Sequence, residues 1–145
     1  MKVFAQNRDT RDYKILEKIE AGIVLTGFEV KSVKNGLISL NGSRIVLRQE
    51  NALLIGANIS PFQPQNIPSD FDSNRTKKLL LKKSEIQELI GKSSTGLTII
   101  PLKVYSKGVR IKIEVALARS LKKFEKREKI KEKEEKRKIK ELKWE

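Results

Sequence analysis

The sequence changes character after Leu117, and this change constrains what the chain can fold into. Residues 119–145 contain 13 Lys and Arg against 7 Glu, with few apolar side chains. Such a segment cannot bury enough apolar surface to offset the entropy of ordering it alone, although Lys, Arg, Glu and Leu favour helices. We therefore divide the chain into a body, residues 1–118, and a basic C-terminal tail, residues 119–145. We expect the tail to be disordered when free and helical on binding; a solvated helix without a specific partner is the alternative.

The net charge of the chain limits the classes of partner that are expected. The chain has 32 basic and 18 acidic residues, a net charge of +14, so RNA, DNA or an anionic membrane surface are the first candidates. No apolar run approaches the roughly 20 residues that span a bilayer, and polar residues follow Met1-Lys2-Val3-Phe4 where a signal peptide would have its apolar core. We expect a cytoplasmic monomer with no membrane partner. The absence of Cys and His removes disulfides, thiolate metal sites and the commonest general base, and we expect no cofactor.

Hydrophobic spacing predicts short strands with one or two helices in the body. Asn35-Gly36 is typical of a left-handed helix stop, and Ser84 of a helix N-cap, with that helix running to Ile90 and Gly91 closing it. The predicted elements are a strand over residues 13–19 with a break at Glu17, a helix over 23–34 with Val24, Leu25, Phe28 and Val33 inward, a hairpin of 44–47 and 52–55, a long loop over 60–76, a strand over 78–82, and strands over 97–105 and 109–117.

The last predicted strand alternates most regularly. Its apolar residues, from Val109 to Leu117, alternate with Arg110, Lys112 and Glu114, so one face is expected to pack on the core and the other to present cations. Short antiparallel strands closed by a few helices predict a mainly β fold. We expect an oligonucleotide-binding-fold-like antiparallel β-barrel with accessory helices, of the kind that binds single-stranded or folded nucleic acid.

Motifs for catalysis are weak. Gly91-Lys92-Ser93 resembles the end of a phosphate-binding loop, but Ile86 stands where that loop requires glycine. Asp70 and Asp72 could hold Mg²⁺, yet two carboxylates beside Pro68 are more typical of a turn. The serines have no histidine to activate them. We therefore expect no enzymatic activity.

Several stretches of the body occur together in an order and spacing typical of one family. The stretches are Asn7-Arg8 with Tyr13, residues 20–32, Ile59-Ser60-Pro61-Phe62, Lys77-Lys78-Leu79-Leu80-Leu81 with Glu85-Ile86, and residues 96–105. Through them the chain resembles the SsrA-binding protein family, also called small protein B. The resemblance implies an oligonucleotide-binding-fold barrel without catalytic activity, whose partners are transfer-messenger RNA and the ribosome. It also implies a basic tail that enters the decoding site and the empty mRNA channel of the small subunit.

The chain departs from the family pattern at three places. Where the family has Gly-Lys-Lys-x-Tyr-Asp-Lys-Arg, residues 120–127 read Ser-Leu-Lys-Lys-Phe-Glu-Lys-Arg, which keeps the aromatic and the final Lys-Arg but loses the glycine and one lysine. Asn58 replaces a family histidine before Ile-Ser-Pro, and the loop before Arg75 lacks the family's His-Asp element.

The residue hypotheses follow from RNA chemistry and the resemblance. By helical phasing Glu29 lies on the exposed side of the first helix, where a carboxylate could accept base amino or 2′-hydroxyl hydrogens; the alternative is a solvated charge beside Lys31 or Lys34. Tyr13 either stacks on RNA or covers the barrel, and some of the cations serve only solubility. The RNA-binding candidates are Asn7, Arg8, Tyr13, Glu29, Lys31, Arg75, Lys77, Lys78, Lys103, Tyr105, Arg110 and Lys112, and the ribosome-binding tail candidates are Lys122, Lys123, Phe124, Lys126, Arg127 and Trp144.

The sequence therefore predicts an RNA-binding protein that binds the tRNA-like part of transfer-messenger RNA and delivers it to stalled ribosomes. A ribosomal or ribosome-assembly protein with a basic extension would have the same composition and charge. A membrane-surface protein is less compatible with the sequence, because the apolar residues of the tail form no continuous stripe.

Overall fold

The computed structural model describes residues 1–63, 65, 67–69 and 71–142, with side chains described except at residues 123, 124 and 138–142. This part of the chain forms nine strands, three α-helices and one 3₁₀ helix. In sequence order they are β1 (Val3–Gln6), the 3₁₀ helix (Arg8–Asp12), β2 (Tyr13–Ile23), α1 (Gly27–Lys34), β3 (Ile38–Ser39), β4 (Arg44–Arg48), β5 (Asn51–Ile55), β6 (Asn58–Ile59), β7 (Lys77–Leu80), α2 (Lys83–Ser93), β8 (Thr98–Lys107), β9 (Arg110–Ser120) and α3 (Lys123–Leu142).

One antiparallel sheet dominates the body. Within the described residues it contains seven strands in the order β1-β8-β9-β2-β7-β5-β4, while β3 pairs with β6 in a second sheet. Sheet twist brings β4, at one end of this order, close to β8 near the other end. The sheet therefore curls around a core, and the predicted mainly β, barrel-like fold with accessory helices is confirmed.

The pairing of β2 with β9 forms the long central strand pair of the sheet. Its register runs from Tyr13 opposite Ser120 to Gly22 opposite Lys112, and it shifts between Ile15 and Glu17. The extra residue of this bulge, Leu16, is 47% exposed. A bulge leaves one residue unpaired and switches the face of the residues that follow, so Ile15 and Ile19 pack on different clusters despite their even spacing. Glu17, where the apolar pattern breaks, forms an ion pair with Lys92 at 2.7 Å.

The short hairpin is confirmed. In the pairing of β4 with β5, Leu47 lies opposite Ala52 and Arg48 opposite Asn51. Gln49 adopts a φ of 54°, the left-handed conformation of a tight turn.

The first helix is shorter than predicted. Residue 23 still belongs to β2, and α1 begins at Gly27 because Thr26 and Glu29 form a capping box across its first turn. Val24 is therefore 42% exposed and does not face inward, whereas Val33 is fully buried. The stop at Gly36 is as predicted, with a φ of 75°.

The second helix is longer than predicted. It begins at Lys83 with Lys82 as N-cap residue, and it runs through Gly91 to Ser93. Both the Ser84 cap and the Gly91 stop are therefore wrong. Glu85 accepts a hydrogen bond from the Lys82 backbone N–H and thereby fixes the start of the helix at Lys83.

The long loop is confirmed, since β6 ends at Ile59, β7 begins at Lys77, and no strand or α-helix occurs among the described residues of 60–76. Its Phe71 ring packs edge-on against Phe28 of α1, with ring centroids 5.1 Å apart. This contact holds the loop against the helix.

The buried side chains of the described residues form two clusters on opposite faces of β9. Ile113, Val115 and Leu117 belong to the main core, as predicted. Ala116 and Ala118 join Ile100 and Leu102 in a smaller cluster on the other face, which Tyr13 and Ile15 cover. The predicted inward position of Val109 is wrong, because this residue lies in the turn before β9 and is 94% exposed.

Candidate nucleic-acid interface

An ion pair between a buried carboxylate and a partly exposed arginine holds the end of the long loop on α1. Arg75 Nη2 lies 2.5 Å from Glu29 Oε1, and the same nitrogen donates to the Val24 carbonyl at 3.3 Å. Glu29 also accepts a hydrogen bond from the Thr26 backbone N–H at 2.9 Å. Burial raises the pKa of Glu29, but the hydrogen bonds from Arg75 and Thr26 outweigh burial and leave the pKa below its ordinary value.

The expectation that Glu29 lies on the exposed side of α1 is therefore wrong, since only 2% of the residue is exposed. The prediction from helical phasing assumed that polar residues face outward. In the structure the carboxylate caps its own helix and pairs with Arg75, which lies 46 residues further along the chain, and a local sequence pattern does not contain this contact. The carboxylate orients Arg75, whose side chain is 38% exposed.

The prediction that Lys77 lies on the exposed surface is also wrong. It is fully buried, and its ammonium group donates to the carbonyl oxygens of Arg75 at 2.6 Å and Ala57 at 3.3 Å. Burial lowers its pKa below the ordinary value. Lys77 therefore joins the start of β7 to the backbone near β6 and does not belong to the exposed cations.

Asn7 is buried too, and its amide is already engaged. Nδ2 donates to the Pro101 carbonyl at 2.8 Å, and Oδ1 accepts from the Asp9 backbone N–H at 2.9 Å. The side chain thus caps the 3₁₀ helix and ties it to β8. Its position fixes Arg8, which is exposed on that helix.

A polar patch on β2 and β8 brings together Glu20, Lys103, Tyr105 and Lys107; we call it the Glu20 patch. The Tyr105 hydroxyl donates a hydrogen bond to the Glu20 carboxylate, and Lys107 Nζ lies 3.1 Å from the same carboxylate. Lys103 Nζ lies 5.5 Å from the centroid of the Tyr105 ring. The Tyr105 hydroxyl, followed by Lys107, lowers the pKa of Glu20, while burial and the nearby carboxylate raise the pKa of Tyr105.

Tyr105 was expected on the exposed surface, but only 4% of the residue is exposed. Its ring is covered, and its hydroxyl orients Glu20. Glu20, by contrast, was not predicted as a site residue, although its side chain is 37% exposed. No sequence signal marked Glu20, because its place opposite Glu114, on a sheet face that also carries cations, is set by the β2–β9 register of the folded chain.

An apolar groove of about 310 Å³ lies beside this patch. Leu80 is 56% exposed at its wall, and Arg110 and Lys112 lie at its rim. A Cβ on Gly22 would approach Leu80 Cβ to 3.1 Å, so glycine is what allows β2 and Leu80 to lie this close. The lining residues are Gly22, Ile23, Leu25, Val30, Leu80, Val109, Arg110, Ile111 and Lys112.

Leu80 was not predicted as a site residue. Burial alternates along β7, since Lys77 and Leu79 are buried whereas Lys78 and Leu80 are exposed. The sequence Lys77-Lys78-Leu79-Leu80 does not alternate between polar and apolar residues, so it gave no signal for this phase.

The tail begins at a pair of charged side chains that we call the clasp, Arg119 and Glu125. The two Nη atoms of Arg119 donate to the two carboxylate oxygens of Glu125 at 2.9 and 2.8 Å. This bidentate contact lowers the pKa of Glu125 to about 2. Lys126 Nζ lies 3.6 Å from Asp12, and Leu121 N–H donates to the Asp12 carbonyl at 2.9 Å. The first turns of α3 are thereby held against the 3₁₀ helix.

The remaining predicted residues divide by exposure. Tyr13 is half-buried and packs on the smaller core cluster, which supports its role as a cover of the sheet. The side chains of Lys123 and Phe124, and all of Trp144, lie outside the described residues. The exposed cations are Arg8, Lys31, Lys78, Arg110, Lys122 and Arg127, and the half-buried cations are Arg75, Lys103, Lys112 and Lys126.

The curled antiparallel sheet, the exposed cations and the basic helix define a small RNA-binding β-sheet protein with a basic helical extension. The chain belongs to the SmpB protein family, whose family model matches residues 4–144. The resemblance found in the sequence is confirmed.

Relatives and a solved structure support this assignment over nearly the whole chain. The SsrA-binding protein of Sulfurihydrogenibium sp. (strain YO3AOP1) is 48% identical over 140 residues, which cover 95% of this chain and 91% of the relative. The SsrA-binding protein of Enterococcus faecalis (strain ATCC 700802 / V583) is 45% identical, with 95% and 90% covered. A solved structure described as "tmRNA-SmpB: a journey to the center of the bacterial ribosome" matches with a TM-score of 0.68 and 34% identity, covering 86% of this chain and 92% of the matched chain.

None of the helices in the described residues is long and apolar enough to cross a membrane.

Proposed function

We propose that the protein binds the tRNA-like part of transfer-messenger RNA and delivers it to stalled ribosomes for trans-translation. The observation that carries this proposal is the family match, which spans both the body and the tail. The relatives named above are SsrA-binding proteins, and the matched solved structure concerns tmRNA and SmpB in the bacterial ribosome.

The body binds RNA through cations and one apolar groove. Arg110 and Lys112 lie at the rim of the groove and contact phosphates, while Leu80 offers an apolar surface to an unstacked base. Lys78 belongs to the same strand as Leu80 and is exposed, so it adds a cation near this surface. This arrangement separates backbone contacts, which fix position, from the contact that touches a base.

The Glu20 patch supplies a different chemistry. A carboxylate accepts hydrogen bonds from base amino groups and 2′-hydroxyls, which lysines cannot do. Tyr105 and Lys107 hold Glu20 in one orientation and keep it ionised, because they lower its pKa. We assign to Glu20 the role that the sequence suggested for Glu29, and to Glu29 the role of positioning Arg75.

The tail acts on the ribosome. The helix α3 has 20 residues, which corresponds to about 30 Å at 1.5 Å per residue. A helix about 10 Å wide that lies in the mRNA channel excludes the messenger, so the tail distinguishes an empty channel from a filled one. Lys122, Lys123, Phe124, Lys126, Arg127 and Trp144 are the residues proposed to contact the decoding site and channel.

The protein itself carries out no chemical step in this proposal. It acts as a monomer in the cytoplasm and positions an RNA whose reaction takes place on the ribosome.

Crosslinking in cells, followed by sequencing of the bound RNA, tests the proposal. Transfer-messenger RNA should dominate the recovered RNA. Recovery of the protein in stoichiometric amounts with vacant ribosomal subunits, without that RNA, would instead identify a ribosomal or assembly protein.

Truncation after Arg119 tests the role of the tail. The shortened chain should still bind transfer-messenger RNA, with a loss of affinity smaller than about a hundredfold, since the proposed body contacts remain. It should fail to support peptidyl transfer to that RNA on stalled ribosomes. Full transfer by the truncated chain would contradict the decoding-site role.

A further inference from the structure

A cleft of about 340 Å³ separates α3 from the 3₁₀ helix. One wall comes from the body and carries two cations and two carboxylates, and the other comes from the tail and carries three cations and no carboxylate. The lining residues are Arg8, Asp9, Arg11 and Asp12 from the body, and Lys126, Lys129, Ile130 and Lys133 from α3. Lys133 also borders a second cleft with Arg8 and Arg11, so these three cations lie around one opening.

The acidic groups of the cleft are already occupied. Asp9 Oδ2 accepts a hydrogen bond from the Gly42 backbone N–H at 2.8 Å, and Asp12 lies 3.6 Å from Lys126 Nζ. Arg8, Arg11 and Lys133 form no ion pair with any residue in the described part of the chain. The lining of the cleft contains five cations against two carboxylates, so it carries an excess of positive charge.

We propose that this cleft binds phosphate groups of an RNA backbone, and that the body and the tail form it jointly. Arg8 and Arg11 contribute from the 3₁₀ helix, and Lys133 contributes from α3. The ligand class rests on the proposed function, whereas the site itself rests on the arrangement of these cations. The phosphodiester groups of a nucleic-acid backbone match a row of Arg and Lys side chains that have no ion-pair partner in the described residues.

The clasp holds the tail in the position that forms the cleft. Arg119 and Glu125 fix the first turn of α3 at the end of β9, and Lys129 Nζ donates to the Tyr13 carbonyl at 3.4 Å one turn later. Lys133 follows on the same side of the helix. If α3 leaves the 3₁₀ helix, Lys133 moves away from Arg8 and the cleft no longer exists.

This geometry couples RNA binding to the position of the tail. RNA in the cleft contacts both walls, so it stabilises the seated helix, and a seated helix in turn increases the affinity for RNA by the same factor. The full chain should therefore bind RNA backbone more tightly than the exposed charges of the body alone would.

A labelled RNA duplex of about 12 base pairs with arbitrary sequence, long enough to present a full turn of phosphates, is the probe. Its affinity for the full-length protein is measured by fluorescence anisotropy over a range of salt concentrations. Lys133→Gln removes a cation of the cleft. Its matched control is Lys131→Gln, which removes an identical charge two residues away, about 200° around the helix. We expect Lys133→Gln to weaken binding about three- to tenfold and to reduce the salt slope by about 1, and Lys131→Gln to weaken binding less than about twofold.

The second variant, Glu125→Gln, breaks the clasp. It removes a negative charge, so charge alone predicts tighter RNA binding. The coupled site predicts weaker binding. In a Glu125→Gln background, Lys133→Gln and Lys131→Gln should then have equal effects, because the cleft is no longer assembled.

Equal effects of Lys133→Gln and Lys131→Gln in the otherwise unchanged chain would overturn the proposal, as would unchanged or tighter binding by Glu125→Gln. The arbitrary duplex keeps this test separate from the proposed function. Failure to recover transfer-messenger RNA from cells would leave the duplex result standing, and a negative duplex result would leave the cellular partner untouched.

Discussion

The guanidinium group of Arg75 lies 2.5 Å from the carboxylate of Glu29, which joins the end of the long loop to the first turn of α1. The pair is asymmetric, since 38% of the arginine side chain but only 3% of the glutamate side chain is exposed. An ionised carboxylate without its cation would lower the stability of the folded protein in this position. The pair is therefore a structural support for the loop.

We predict that Glu29→Gln lowers the free energy of unfolding by about 1–3 kcal/mol, a value reduced from that of a fully buried pair because water screens Arg75. The matched control is Glu85→Gln. Glu85 occupies the same capping position in α2 but forms no ion pair within the described residues, and glutamine also serves in a capping box. It should change stability by less than about 0.5 kcal/mol. Urea denaturation followed by circular dichroism measures both, and equal effects would show that Arg75 contributes nothing.

We predict that Lys77→Met and Lys78→Met affect different properties. Lys77→Met leaves the carbonyls of Ala57 and Arg75 without their buried donor and should cost about 1–3 kcal/mol of stability. Lys78 is exposed, so Lys78→Met should leave the melting temperature nearly unchanged and weaken RNA binding a few-fold. Thermal melts, together with binding measured well below the melting temperature, separate the two effects. A melting shift for Lys78→Met as large as that for Lys77→Met would contradict the assignment.

Tyr105→Phe should destabilise the protein in a pH-dependent way. The variant loses the hydrogen bond to Glu20, which is expected to be worth about 1 kcal/mol near neutral pH. The folded protein raises the pKa of Tyr105 above its ordinary value of 10.0, so the stabilisation is fully present below about pH 10 and is lost as the pH rises through the higher folded value. The stability difference between the two proteins should therefore shrink in strongly alkaline solution. Tyr13→Phe is the control, because the Tyr13 hydroxyl forms no hydrogen bond in the described residues; chemical denaturation near neutral pH should show a smaller loss of stability for it than for Tyr105→Phe.

The clasp predicts an acidic titration at Glu125. NMR of the side-chain carboxyl carbon should give a pKa of about 2 in the full chain, and Arg119→Gln should raise this value toward the ordinary 4.5 of glutamate. Because the folded pKa is lowered, the clasp is intact above about pH 4.5 and is lost as the pH falls toward about 2. A titration that Arg119→Gln does not move would mean that the two side chains are not paired in solution.

Local sequence signals predicted the fold better than they predicted the site. The Asn35-Gly36 stop, the hairpin at Gln49 and the alternation of Ile113, Val115 and Leu117 depend on neighbours in the chain, and each was predicted correctly. The start of α1 was misplaced because apolar residues from Ile23 onward continue the end of β2 before the Thr26 cap begins the helix.

The site residues were harder to predict because distant parts of the chain form their environments. Glu29 is buried by Arg75, Tyr105 is oriented toward Glu20 across the sheet, and the cleft requires the tail to meet the 3₁₀ helix. Basic and acidic side chains are mostly exposed in folded proteins, so a sequence pattern predicts them to be exposed. Lys77 and Glu29 are buried instead, because backbone carbonyls accept hydrogen bonds from Lys77 and the guanidinium group of Arg75 pairs with Glu29.

The strand β9 has a consequence for how the body and the tail communicate. It runs without interruption from Arg110, at the rim of the apolar groove, to Arg119, at the clasp, and it is hydrogen-bonded on both sides by β2 and β8. At about 3.3 Å per residue these two arginines are separated by about 30 Å of stiff backbone. Under the proposed function, this strand sets the distance and direction between an RNA bound at Arg110 and the first turn of the tail.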